Sequence, residues 1–257
     1  MLVRRRWLTD VALARAAFVV AVFVLLELMC RLGVIGRVTM IPPTEMVAAL
    51  FDIVRSGRFN SDIAFTCLNT ISATALAIAV GFIIGAALHA LPRLRRAVDP
   101  LLSAYYAVPT FVFYPLLIVV FGAGRTALIV IGAMFGIVAM IINTVLGLDH
   151  VPEAVRRTGH ILKLDSLRQL FLIRLPAAAP HLVSGIKLAV AYSVIGIVAG
   201  EFILATRGIG KRVAFAYDNF DNRTMYGLLL LLLIAVAVVN GCLSAWEKQL
   251  HRRFGQR

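Results

Sequence analysis

Six apolar runs, each long enough to cross a bilayer as a helix, lie near residues 13–33, 66–91, 101–121, 126–147, 179–204 and 226–246. A helix needs about twenty apolar residues to cover the hydrocarbon core. Only helices and closed barrels satisfy their own backbone polar groups in lipid, and these runs lack strand alternation. The chain is therefore expected to be an all-α membrane protein with about six transmembrane helices, forming a single transmembrane domain over residues 1–257. With 61% hydrophobic and 15% charged residues, the composition departs from that of soluble domains in the same direction. The start, "MLVRRRWLTD" followed by "AAFVVAVFVLLELM", has no small-x-small cleavage site after it, so a retained first span is expected.

Orientation follows from the basic residues. Segments 1–12, 92–100, 148–178 and 247–257 hold three, three, five and four Lys or Arg. The alternate segments, 31–65, 122–125 and 205–225, hold nine over a similar length. The positive-inside rule then predicts N-in/C-in. The net charge of +13 is spread over these short connections, which fits contact with membrane lipid and argues against nucleic acid as a partner.

Scattered chemistry-bearing residues exclude other classes. Cys30, Cys67 and Cys242 are odd in number and far apart, reading as small buried hydrophobes rather than a disulfide or metal framework. His89, His160 and His181 share no ligand spacing, so no metal site is expected. No catalytic motif occurs within a span, and the absence of GxxxxGK[ST] means that no P-loop nucleotide site is expected here. The second span carries Gly81 and Gly85 four apart, a small-residue face suited to close helix packing. Pro109 and Pro115 make the third a kinked span.

The longest mixed segment runs from Glu153 to Pro176 and is expected in the cytoplasm. It reads as two short helices. Asp149 would cap the first, with Pro152 in its first turn, and Ser166 with Gln169 would form a capping box on the second. Pro176 and Pro180 would mark the chain's return into the membrane. Ile161, Leu164, Leu167 and Leu170/Phe171 give an apolar ridge, with Arg157, Lys163 and Arg168 on other faces. A helix at the lipid surface and a docking element for a soluble partner account for this pattern equally well.

The chain resembles the transmembrane permease subunits of bacterial ABC importers of the sulfonate/taurine/nitrate type. The matching stretches are "RAVDPLLSAYYAVPTFVFYPLLIVVFGAG", "NTVLGL", "IRLPAAAP", "SGIKLAVAYSVIGIVAGEFI" and "RGIGKRVAFAYDNFDNRTMYG", in order over about residues 40–245. The resemblance implies a type I importer-like fold in the bacterial inner membrane, with ATP-driven alternating access. It also implies a second copy of the chain, a cytoplasmic ABC ATPase dimer that binds ATP-Mg, and a periplasmic or lipid-anchored solute-binding protein. No cofactor is expected in this chain. The solute would be small and anionic: a sulfonate, nitrate or an aromatic carboxylate, with thiamine-pyrimidine precursors also open.

In that family the cytoplasmic loop carries E-A-A-x-x-x-G before I-x-L-P. Counted back from Leu175-Pro176, Arg157-Thr158-Gly159 stand in the place of E-A-A and Lys163 in that of the glycine. The literal "EAV" at 153–155 lies four residues earlier. An insertion and a decayed motif both remain open; "LDSLRQLFLIRLP", which aligns without a gap, favours decay. The resemblance thus assigns ATPase coupling to Arg157, Thr158, Gly159, Lys163, Leu164, Asp165, Ser166, Leu167 and Arg168.

Polar groups within the spans are functional candidates. Glu201 reads as path-lining, helix-packing or snorkelling, while Glu27 reads as interfacial, near Arg31. Lys187 reads as snorkelling. Asn143 and Thr144, and Asn69 and Thr70, read as hydrogen-bonding glue between helices ahead of solute contact. Tyr105, Tyr106, Pro109 and Tyr114, with Asn143 and Glu201, are the candidates for the translocation path; aromatic packing is the other reading of the tyrosines. Outside the membrane, an amphipathic helix over 43–56 and another within "GIGKRVAFAYDNFDNRTMYG" are candidates for binding-protein contact or for lying on lipid. An ion-coupled secondary transporter or channel would want more acids in the spans than Glu27 and Glu201.

Overall fold

The computed structural model describes residues 2–105, 107–155 and 165–254. The described residues are helical with short connections and no strand. The helices are α1 (Leu2–Arg31), α2 (Pro43–Ser56), α3 (Asn60–Ala90), α4 (Pro92–Tyr105), α5 (Tyr114–Phe121), α6 (Arg125–Asp149), α7 (Ser166–Gln169), α8 (Leu175–Leu204), α9 (Ile209–Asp218) and α10 (Asn222–Phe254). Five stretches are long and apolar enough to cross a membrane, and a bent pair, α4 with the segment from Thr110 to Phe121, raises the number to six.

That bent pair corrects the expectation of one kinked helix. The two halves meet at 98°. Pro109 opens a 3-10 turn over Thr110–Phe113, beyond the end of α4 at Tyr105. Pro115 then lies in the first turn of α5, where its missing N–H costs nothing. The two halves are separate helices rather than one bent helix.

The chain divides into two compact units. One comprises the described residues up to Asn60 together with Arg212–Leu233. In it Glu27 does two jobs. Its carboxylate accepts from Arg31 Nε at 2.6 Å, the expected i+4 pair, and from both the N–H and the hydroxyl of Thr44. It thereby caps α2, whose first residues Pro43 and Thr44 follow a proline that offers no capping side chain. Gly57, at φ 63, ends α2 in the left-handed conformation glycine adopts without strain. Asn222 Nδ2 donates to the carbonyls of Arg37 and Val38, and Tyr226 Oη to that of Thr39, so the α1–α2 connection is tied to the start of α10.

The second unit holds Ser61–Lys211 and the chain from Ile234 onward. Its centre is α6. The most apolar window of α6 is 61% buried, against 28% for α3 and 33% for α8. Small residues make this possible. Gly81 and Gly85 face Met140 and Thr144 across the α3–α6 seam, as their spacing predicts. On the other side Gly132 and Gly136 lie against Ile197, Ala189 and Ser193 of α8. Without side chains at these points the helix axes approach closely and van der Waals contact replaces the missing hydrophobic drive. Asn143 and Thr144 do not bridge helices; each bonds the carbonyl four residues back, Ala139 and Met140, the cheapest acceptor for a short polar side chain in lipid. Lys187 is paired rather than left to snorkel: its Nζ lies 3.2 Å from Glu247, which also accepts from Ser184.

Candidate functional site

Two places in the second unit gather polar groups. The first is the corner where α8 turns into α9. Asp62, Thr66 and Asn69 recur on one face of α3 and are almost wholly buried, as is Glu201 at the end of α8. Glu201 Oε2 accepts from the Thr66 hydroxyl at 2.7 Å and from Gly210 N–H at 3.1 Å. Asp62 accepts from Gly208 N–H at 3.0 Å, and Thr66 from Ile209 N–H at 2.9 Å. Three consecutive backbone donors of the turn are thus taken up by one face of α3 and by Glu201. These N–H groups open α9, so the acids also meet a positive helix end. Arg125 Nε donates to Asn69 Oδ1 at 2.6 Å, bringing a cation to the same cluster. Glu201 Oε1 and Asn69 Nδ2 each lack a hydrogen-bond partner among the described residues.

Glu201→Gln is expected to cost no more than about 1 kcal/mol, because the amide oxygen still accepts both donors. Thermal unfolding in detergent measures it.

The second place is the opposite end of the unit, predicted to be cytoplasmic. Asp149 is the last residue of α6 and does not cap a following helix, which corrects the expectation. Its carboxylate takes Arg95 Nη1 at 2.6 Å and His89 Nδ1 at 2.9 Å. An acid at a helix C-terminus faces the negative end of the dipole, and two basic partners from α3 and α4 offset that cost. The start of the loop is thereby fastened to the α3–α4 corner. His150 and His181 stack with ring centroids 5.0 Å apart. No group of three or more His, Cys, Asp or Glu that could hold a metal occurs among the described residues.

Of the coupling residues, Arg157, Thr158, Gly159, Lys163 and Leu164 lie outside the described residues. Ser166 and Leu167 belong to α7. Asp165 precedes α7, and its carbonyl accepts from Gln169 N–H at 2.9 Å, so Asp165 holds the cap position expected for Ser166. Arg168 lies 3.4 Å from the Asp165 carboxylate. The loop does not end in a separate short helix: the helix runs on through a π turn at Leu170–Arg174 into α8, taking in Pro176 and Pro180. Pro176 sits in the first turn of α8, and an interior proline such as Pro180 is tolerated where neighbours satisfy the freed carbonyl.

The path candidates are spread out. Tyr114 is buried with Leu117, Leu128, Ile131 and Ile197. The Tyr105 hydroxyl donates to the Met134 carbonyl at 2.7 Å. Pro109 is exposed, Asn143 half-buried and Glu201 wholly buried, while Tyr106 lies outside the described residues. Of the cysteines, Cys30 is buried as expected, but Cys67 and Cys242 are exposed on helix surfaces, where a small apolar side chain meets lipid at no cost. Asp62, Thr66 and Gly208 were not singled out in the sequence, although the spacing of Asp62, Thr66 and Asn69 on one face of an apolar helix is a legible signal.

In the first unit a cleft of about 230 Å³ is lined by Asp52, Ser56 and Arg58 of the α2 end and by Arg223 and Thr224 of α10. Arg223 Nη2 contacts Asp52 at 2.6 Å.

Residues 77–256 match the family described as "Binding-protein-dependent transport system inner membrane component". The chain is 29% identical over 161 residues to the riboflavin transport system permease protein RibX of Chloroflexus aurantiacus, covering 60% of each. It is 29% identical over 143 residues to the nitrate import permease protein NrtB of Synechococcus elongatus, covering 56% of this chain and 51% of that one. Taurine transport system permease protein TauC of Escherichia coli matches at 27% over 217 residues, 81% of this chain and 78% of TauC. The chain thus spans about half to three-fifths of the riboflavin and nitrate permeases. Among solved structures, the inward-facing MetNI methionine ABC transporter matches with TM-score 0.66 at 18% identity, over 75% of this chain and 95% of that chain. An amino acid ABC transporter matches with TM-score 0.57 at 14% identity, over 79% and 98%. Both share the fold.

Proposed function

Because the chain belongs to the family of binding-protein-dependent transport system inner membrane components, we propose that it is the membrane-spanning subunit of an ATP-driven importer for a small anionic solute. Two copies would form the path, a cytoplasmic ATPase dimer would grip the segment between α6 and α8, and an external binding protein would deliver solute. The observation that carries the reading is the way α6 and α8 are built. They pack together through glycines, and the charged loop joins their ends on the predicted cytoplasmic side. At the far end of α8 the α9 turn is pinned by Asp62, Thr66 and Glu201. A force on the loop therefore meets a tightly packed pair rather than a flexible linker.

The nitrate permease among the relatives favours an anion, and taurine carries an anionic sulfonate group. The basic residues on the predicted outer side add little, since Arg223 is engaged by Asp52 and Arg212 has its own partner. The α2–α10 cleft, with Arg58 and Arg223, is the surface proposed to meet the binding protein. The acids in the spans also fit: Glu27 caps α2, Glu201 holds the α9 turn and Glu247 pairs with Lys187.

The test is purification in mild detergent followed by uptake into vesicles, with nitrate and taurine as probes. An ATPase chain is expected to co-purify, and Leu164→Asp with Leu167→Asp is expected to lower uptake at least tenfold. Uptake that survives ATP depletion, with no ATPase in the complex, would instead favour an ion-coupled transporter.

A further inference from the structure

Between the loop and α8 the backbone leaves α-helical spacing. Leu170–Arg174 form a π turn, in which Leu175 N–H bonds to the carbonyl of Leu170, five residues back. The cause lies in the sequence. In an α-helix residue 176 would donate to the carbonyl of Leu172, but it is a proline, with no N–H and a ring that collides with that carbonyl. Widening the turn by one residue takes the Leu172 carbonyl out of the i−4 place the ring would strike, although no N–H is gained.

The side chains record the change. Residues five apart in an α-helix lie about 140° apart around the axis. Across this turn Arg174 Nη2 donates to Gln169 Oε1 at 2.9 Å. Gln169 is only 5% exposed, and Arg174 Nε is buried without a hydrogen-bond partner among the described residues. The bridge thus spans the π turn from one end to the other. Single π turns within helices recur at functional sites. Pro176 favours this form without forbidding the other, since α8 already carries Pro180 in its interior.

Resting on the permease reading, we infer that Pro176 sets the rotational register of the loop on α8, with Gln169 and Arg174 spanning the turn it favours, and that this register slips by one residue, from π to α, when the partner ATPase closes. One residue of slip turns the loop by about 100° and moves it about 1.5 Å along the axis. Motion imposed on the loop would then reach α8 as a change between two discrete packings.

A disulfide between Gln169→Cys and Arg174→Cys reads the register directly. Five residues of α-helix rise about 7.5 Å, beyond the reach of about 7 Å between Cα atoms that a disulfide allows; a π turn, closed by hydrogen bonds between residues five apart, shortens that span. The double variant, with Cys30, Cys67 and Cys242 replaced by serine, is purified with its ATPase and oxidised with copper phenanthroline. Most of the chain is expected to cross-link without nucleotide, and at least fivefold less after trapping with Mg·ATP and vanadate. The cross-linked complex is expected to hydrolyse ATP at least tenfold more slowly, with recovery in dithiothreitol. Adding Pro176→Ala is expected to lower the nucleotide-free yield. Equal yields with and without nucleotide, equal yields with and without Pro176→Ala, or unslowed hydrolysis by the cross-linked complex would each overturn the inference while leaving the permease reading intact. Failure of any ATPase to co-purify would remove both.

Discussion

Gly208→Ala is expected to cost about 3 kcal/mol or more, the sum of a strained backbone at about 1–3 kcal/mol and a steric overlap of similar size. Gly208 sits at φ +108, a conformation that L side chains rarely adopt. A methyl there would also overlap the Glu201 carboxylate, which is wholly buried and held in place by Thr66 and Gly210. The carboxylate cannot swing away without leaving two donors unpaired in a low-dielectric site, so the turn must open instead. The next glycine, Gly210, is equally confined, against the carbonyl of Val198. The readout is the thermal unfolding midpoint in detergent together with the yield of monodisperse protein. Unfolding within about 1 °C of the parent chain would show that the turn is not pinned as described.

Gly85→Leu carries a comparable expectation at the other seam. A Cβ on Gly85 would lie 2.6 Å from Cβ of Thr144 and 2.9 Å from the backbone carbonyl of Ile141. Thr144 is fully buried and its hydroxyl is tied to Met140, so it does not yield by a rotamer change. The helices must move apart, and with them the contacts of Gly81 with Met140. Overpacking of this kind costs about 1–3 kcal/mol where side chains can shift, and more where backbone stands in the way. Gly241→Leu is the matched control. Nothing lies within 4 Å of a Cβ at that position of α10, and replacing a helical glycine there is expected to stabilise by roughly 0.5–1 kcal/mol. The two variants, compared by unfolding in the same detergent, separate packing from helix propensity. Equal midpoints would mean that α3 and α6 do not meet at Gly85.

What was legible in the sequence follows from length and period. The apolar runs became helices because hydrocarbon leaves a backbone few alternatives. The Gly81/Gly85 face, the helix over Pro43–Ser56 and the Glu27–Arg31 pair all appeared where one- and four-residue neighbours predicted them. These are short-range relations. The errors fell where the partner is distant in sequence. Asp149 has the composition of a cap, yet Arg95 and His89 claim its carboxylate from 54 and 60 residues away. Lys187 has the position of a snorkelling residue, yet Glu247 reaches it from 60 residues on.

The sequence by itself therefore determined that this chain is a bundle of membrane helices of the importer-permease family, because hydropathy, period and the order of short motifs are local properties. Tertiary structure alone decided which polar groups act together. Glu201 became the keeper of the α9 turn because α3, 135 residues away, brings Thr66 to its carboxylate. Pro176 could be read as a boundary, and only the folded helix shows it instead as the origin of a π turn. A proline removes one hydrogen bond, but whether a helix then stops, kinks or widens depends on what is packed against it.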